Sequence, residues 1–213
     1  HNYSSFEFNC NNNSKLYSLD RQSIDIEPDA SSASYFFAAA ALSGNVRVEG
    51  LNKDSIQGDI QFLDVLAKMG ADITYNNNSI DVNKATKLVG GQFDCIAIPD
   101  AAMTLATMGL FTDSPVELFN INSWKVKETD RIIAMENELR KFGATVTSTD
   151  NSLKITPPKK ILDNVSVHTY DDHRIAMCFS LVCLANKSVE IQDPECVNKT
   201  YPNFFNDFLK LLS

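Results

Sequence analysis

The chain has 213 residues, 44% of them hydrophobic and 22% charged, with a formal charge of −8 at pH 7. This composition excludes disordered, collagen-like and low-complexity chains, and at this length roughly 70% of the unfolded surface can be buried without metal or disulfide staples. The acidic balance argues against nonspecific nucleic-acid binding, which needs a broad basic surface, and the longest strongly apolar run, Tyr35 to Leu42, is far short of the roughly 20 residues of a membrane span.

Neither nucleic acid nor membrane is therefore an expected partner. An anionic small molecule is compatible, because the local field of a pocket can oppose the net charge. Cys10, Cys95, Cys178, Cys183 and Cys196 are odd in number, form no C-x-x-C pair and mostly sit in apolar sequence. They read as reduced, inert packing residues of a cytoplasmic protein. The start at His1, with no basic segment leading into an apolar one, reads as an excised piece without an export signal.

In chain order, Tyr3 to Cys10 and Lys15 to Leu19 read as a strand pair around Asn11-Asn12-Asn13. IDIEPDASSASYFFAAAAL (Ile24 to Leu42) then opens a pattern repeated by IAIPDAAMTLATMGLF (Ile96 to Phe111) and VHTYDDHRIAMCFSLVCLA (Val167 to Ala185), with Asp29, Asp100 and Asp172 at spacings of 71 and 72. Each copy predicts a short strand ending at its aspartate and then an almost wholly apolar helix. Val46-Arg47-Val48, Val116-Glu117-Leu118 and Val189-Glu190-Ile191 alternate as half-buried strands do.

Amphipathic helices follow those strands. The first carries Ile56, Ile60, Leu63 and Ala67 and stops at Gly70; the second carries Ile132, Met135, Leu139 and Phe142 and stops at Gly143; the third centres on Phe205, Phe208 and Leu212. Hairpins close the first two copies, Ala71 to Val82 and Ala144 to Thr156, and the third copy reaches Ser213 without one. Helices apolar all round must be covered on every side. The pattern thus predicts an α/β fold of three β-α-β-α-β-β repeats around a threefold pseudo-axis, with buried inner helices and outer sheets, an inside-out α/β barrel.

Aspartates at helix starts cap unpaired N–H groups, the role expected of Asp29. Three parallel inner helices would also aim three positive ends at one face, each worth roughly half a charge. Lys125, Lys127, Glu128, Arg131, His173, Arg174 and Lys199 fall in loops and helix starts of that face. An anion site is expected there.

The residues PDASSASYFFAAAAL, IPDAAMT, WKVKETDR, YDDHRIAMCFSL and DPECVNKTYPNFF, in this order, resemble the 5-enolpyruvylshikimate-3-phosphate synthase family. The resemblance runs through the chain but corresponds to the C-terminal half of that enzyme. It implies residues 23–213 as the C-terminal enolpyruvyl transferase domain, with repeats at about 23–93, 94–164 and 165–213, and residues 1–22 as a hairpin of the N-terminal domain. The implied reaction, in aromatic amino acid biosynthesis, transfers the enolpyruvyl group of phosphoenolpyruvate to the 5-hydroxyl of shikimate 3-phosphate and releases phosphate, with no cofactor and no metal.

Carried over by position, Asp100 is the implied proton acceptor on the shikimate hydroxyls and Glu128 the acid that protonates the phosphoenolpyruvate methylene. Asp100, Ser123 and Lys127 are implied at shikimate 3-phosphate; Arg131, His173, Arg174 and Lys199 at phosphoenolpyruvate. Three residues depart from the pattern: Ser123 and Asp171 stand where asparagine is frequent, and Lys125 where arginine is. The implied N-terminal domain would supply the rest of the site, so the chain alone is expected to be inactive. The alternatives are an enolpyruvyl transferase acting on UDP-N-acetylglucosamine and a noncatalytic structural domain. Tyr3 to Leu19 is expected to fill the edge left beside the third copy.

Overall fold

A computed structural model describes residues 26–212. The strand pair expected in Tyr3 to Leu19, with the hairpin 1–22 and Cys10, lies outside the described residues.

Three helices follow the three aspartates: α1 (Ala30–Ser43), α3 (Ala101–Met108) and α5 (His173–Ser180). Every residue of α3 and α5 is buried, and α1 is buried from Ala30 to Ala41 except at Phe36. They cover one another: α1 packs on α3, α3 on α5, and the 3-10 extension of α5 (Leu181–Ala185) returns to α1. Ser34 Oγ and Thr104 Oγ1 share a hydrogen bond of 2.8 Å, and Thr104 Oγ1 lies 3.7 Å from Cys178 Sγ. Alanine, serine and threonine at these crossings leave little side-chain bulk between the helix backbones.

The outer helices are α2 (Phe62–Lys68), α4 (Arg131–Lys141) and α6 (Phe204–Leu209). Ile132, Met135, Leu139 and Phe142 are all buried, as their spacing predicts. Two other expectations are corrected. Ile56 is 92% exposed, in a loop before a 3-10 turn (Gly58–Gln61) that leads into α2. That loop is held by Glu27, which accepts from Ser55 Oγ, Ile56 N and Gln57 Nε2. In the last helix Phe204, beside Phe208, is fully buried while Phe205 only lies against the core. Phe204 is enclosed by Tyr35, Phe36 and Tyr201.

The strands form three sheets among the described residues rather than one closed barrel. β1 (Asn45–Glu49), β2 (Asp72–Tyr75) and β3 (Ser79–Asn83) make an antiparallel sheet in the order β1-β3-β2. β4 (Gly91–Asp94), β5 (Val116–Phe119), β6 (Thr145–Ser148) and β7 (Ser152–Thr156) make the order β4-β5-β7-β6, with β4 and β5 parallel. β8 (Val165–Val167) and β9 (Val189–Ile191) pair in parallel.

The leading strands thus end at Asp94 and Val167, not at Asp100 and Asp172. The intervening residues turn the chain; Asp94 Oδ1 accepts from Ile96 N at 3.0 Å, and Ile98 N donates to Cys95 O. Before α1, residues Ile26 to Asp29 form no strand. Four free thiols are described; Cys95 and Cys178 are buried, and burial pushes both up to about 12, which keeps them neutral and unreactive.

Candidate functional site

The three helix-start aspartates divide into two kinds by backbone conformation. Asp29 (φ −66°, ψ 112°) is extended, so its carboxylate turns back onto its helix and accepts from Ser31 N, Ser32 N and Ser32 Oγ. Asp172 (φ −109°, ψ 112°) is also extended and accepts from Arg174 N at 2.9 Å. Asp100 has helical dihedrals (φ −90°, ψ −42°) and makes no side-chain cap. Its carboxylate instead faces Arg131, Arg174 and Lys127.

Arg131, the first residue of α4, stands at the centre with 1% exposure. Its Nε donates to Asp172 Oδ2 at 2.7 Å, one terminal nitrogen to Asp100 Oδ1 at 2.8 Å, and the other to Glu128 Oε2 at 2.8 Å and Asp172 Oδ1 at 3.3 Å. A planar guanidinium with fixed donors suits three carboxylates approaching from different elements. Arg174 Nη2 lies 3.1 Å from Asp100 Oδ2, and its Nη1 accompanies the buried Tyr35 hydroxyl at 3.4 Å. Lys127 Nζ is 3.5 Å from Asp100 Oδ1, and Lys199 is paired with Glu128 Oε1.

Burial by itself would raise the carboxyls, and the cations outweigh it. Arg174, Arg131 and Lys127 hold Asp100 below the ordinary aspartate value, and Lys199 and Arg131 bring Glu128 down to about 2. Both are carboxylates at neutral pH. His173 is 2% exposed, neither ring nitrogen has a hydrogen-bond partner among the described residues, and burial followed by Arg174 pushes its pKa down. Its Nδ1 stands 3.7 Å from Asp172 and 4.0 Å from Glu128.

The sequence-selected residues Asp100, Lys127, Glu128, Arg131, His173, Arg174 and Lys199 therefore meet at one end of α3, α4 and α5. Ser123 sits on the 3-10 turn Asn122–Val126 beside the fully buried Trp124, whose Nε1 donates to Pro99 O at 2.6 Å and fastens that turn to the start of α3. Lys125 pairs instead with Asp150 at 2.7 Å, away from this cluster. Asp171 has φ 56° and follows Tyr170 at φ 55°. Asparagine and aspartate tolerate that left-handed conformation better than most residues, which explains the residue types found there. Asp172, which grips Arg131, and Tyr35, beside Arg174, had no site role in the sequence reading.

The EPSP synthase (3-phosphoshikimate 1-carboxyvinyltransferase) family model matches residues 4–208. A 3-phosphoshikimate 1-carboxyvinyltransferase of Thiobacillus denitrificans is 53% identical over 191 residues, 88% of this chain and 45% of that protein. One of Haemophilus influenzae is 51% identical over 187 residues, 87% of this chain and 43% of that protein. Among solved structures, EPSP synthase from Acinetobacter baumannii superposes with a TM-score of 0.78 at 26% identity, over 87% of this chain and 46% of that one. The enolpyruvyl transferase NikO from Streptomyces tendae shares the fold, with a TM-score of 0.72 at 18% identity, over 88% and 44%. The chain spans less than half the length of the curated relatives it matches. With the family motifs gathered around Arg131 and the match running through nearly all of its length, the chain belongs to the EPSP synthase family.

Proposed function

We propose that residues 23–213 are the C-terminal domain of an enzyme that transfers the enolpyruvyl group of phosphoenolpyruvate to the 5-hydroxyl of shikimate 3-phosphate. Its three repeats, about 23–93, 94–164 and 165–213, surround a threefold pseudo-axis, and residues 1–22 belong with an N-terminal domain that supplies the opposing wall of the site. The cytoplasm is the proposed location. Relatives of about half identity, all 3-phosphoshikimate 1-carboxyvinyltransferases, favour this acceptor over UDP-N-acetylglucosamine.

The observation that carries the reading is Arg131, held at once by Asp100, Glu128 and Asp172 beside Arg174, Lys127 and Lys199. In this reading, Arg131, Arg174 and Lys199 hold the phosphoenolpyruvate carboxylate and phosphate, next to His173. Ser123, Lys127 and Asp100 hold the shikimate hydroxyls. As its oxygen bonds to C2 of phosphoenolpyruvate, the 5-hydroxyl loses its proton to the Asp100 carboxylate. Glu128 delivers a proton to C3. One C3 proton then returns to the Glu128 carboxylate as the bond from C2 to phosphate breaks, which gives the enol ether product and inorganic phosphate.

Glu128 can donate only after it gains a proton. The substrate's anionic groups draw the exposed Lys199 away from Glu128, and the carboxyl then rises from about 2. Substrate arrival thus arms the acid.

The test is phosphate release by this chain alone and after joining to the N-terminal half of the Haemophilus influenzae relative. The joined protein turns over and the chain alone does not, because half a site cannot orient two substrates. Asp100→Ala and Glu128→Gln each lower turnover by roughly 100-fold or more. Activity of the chain alone, or normal turnover of either variant, overturns the reading.

A further inference from the structure

Asp59 is a half-buried carboxylate that the mechanism above does not use. It stands in the 3-10 turn before α2, 41 residues ahead of Asp100 in sequence, yet it meets the starts of two inner helices. Its Oδ1 accepts from Ala101 N at 3.3 Å, and its Oδ2 accepts from Ser31 Oγ. Gly58 permits the approach: a Cβ there would lie 2.4 Å from Ala97 O.

The first N–H groups of α3 find partners without the Asp100 side chain. Ala102 N donates to Ile98 O at 2.8 Å, Met103 N to Asp100 O at 3.3 Å, and Ala101 N to Asp59. An N-cap side chain serves the second or third N–H of its helix, as Asp29 serves Ser31 N and Ser32 N, while the first N–H of α1, Ala30 N, donates to Gln57 Oε1 at 2.9 Å. The first N–H of α3 is likewise held from another segment, by a carboxylate in place of an amide, while Ile98 O and Asp100 O take the two donors that an Asp100 cap would serve.

We propose that Asp59 is a positioning residue that holds the first N–H of α3 in trans and thereby pins the turn from Ile98 to Asp100 where the Asp100 carboxylate meets Arg131, Arg174 and Lys127. Without Asp59, the Ala101 N–H is orphaned in a partly buried place, and unpaired donors of that kind force local rearrangement. The turn from Ile98 to Asp100 then shifts to satisfy it. The use of the Asp100 so placed in proton transfer rests on the function proposed above; the cap itself does not.

The chain reports on this turn directly, because its single tryptophan, Trp124, donates to Pro99 O. The experiment compares emission maximum and acrylamide quenching of Trp124 in the wild type, Asp59→Ala, Asp59→Asn and Ser31→Ala, with far-UV circular dichroism to confirm folding. Asp59→Ala gives a red shift and stronger quenching. Asp59→Asn keeps an acceptor for Ala101 N and restores wild-type emission. Ser31→Ala cuts only the tie to α1; it lowers the melting temperature and leaves the emission unchanged.

Unchanged Trp124 emission in Asp59→Ala overturns the proposal, as does an equal red shift in Ser31→Ala, which would make Asp59 only a strut between helices. Should Asp59→Ala not fold, a red-shifted Asp59→Asn overturns it. A shift as expected in a chain whose joined form makes no product leaves the cap standing and removes only its catalytic purpose.

Discussion

Replacing Arg131 by methionine removes the one group that three carboxylates share. Methionine fills much of the volume, so the loss reads the charge and the hydrogen bonds rather than a cavity. Asp172 is fully buried and, among the described residues, its carboxylate keeps only the bond from Arg174 N once Arg131 is gone, with the other oxygen unpartnered. Breaking a buried pair by removing one partner costs about 3–5 kcal/mol, a large share of the 5–15 kcal/mol that typically stabilises a domain. Urea denaturation at pH 7, followed by circular dichroism, measures it. A loss below about 1 kcal/mol, the range of an exposed pair, would refute the central place given to Arg131.

The same variant has a pH signature. In the wild type Glu128 sits near 2 and Asp100 below its ordinary value, so their folded pKa values lie under the unfolded ones. Their stabilising contribution is complete above the unfolded carboxylate range and is lost as pH falls from about 4.5 toward 2. Without Arg131 the crowded carboxylates repel, their pKa values climb, and the acid loss flattens. An unchanged acid slope in Arg131→Met contradicts the electrostatic account.

Two further outcomes are expected. Asp29→Ala loses a cap and costs about 1 kcal/mol by denaturation, while turnover per folded molecule of the joined enzyme stays near wild type; a collapse of turnover would make Asp29 functional. Asp171→Val forces a β-branched residue to φ 56° and costs about 1–2 kcal/mol, whereas Asp171→Gly is near neutral; equal melting temperatures for the two variants would deny the left-handed conformation.

Much of this fold is periodic and could be read from sequence. Ile132, Met135, Leu139 and Phe142 mark the buried face of α4 because packing there follows the helix repeat. Ile56 continues a similar spacing, yet Glu27 draws its loop out of the helix, a contact 29 residues away that periodicity does not register. Phe204 and Phe205 are neighbours of one type, and only the enclosing rings of Tyr35 and Phe36 select the first. IAIPD alternates like a strand, but Asp94 ties Ile96 into a turn. At the site, charged motifs named most of the cluster, while Asp172 on Arg131 and Asp59 on Ala101 are bonds between distant segments. Capping alone explains an aspartate before a helix, so such second roles leave no separate trace in the sequence.

The shared hydroxyl contact between Ser34 and Thr104 acts as an index mark on two otherwise smooth rods. Alanine-rich helix surfaces can slip along one another at little cost, because one small side chain packs much like the next. A slip of one residue between α1 and α3 moves a helix by 1.5 Å, enough to draw Arg174 off one of its two partners, Tyr35 on α1 or Asp100 at the start of α3. A hydrogen bond within an apolar interior disfavours every alignment but the one that makes it. The alignment of the helix ends, and with it the aim of the charged cluster, is therefore set partly by a serine and a threonine in the middle of the core.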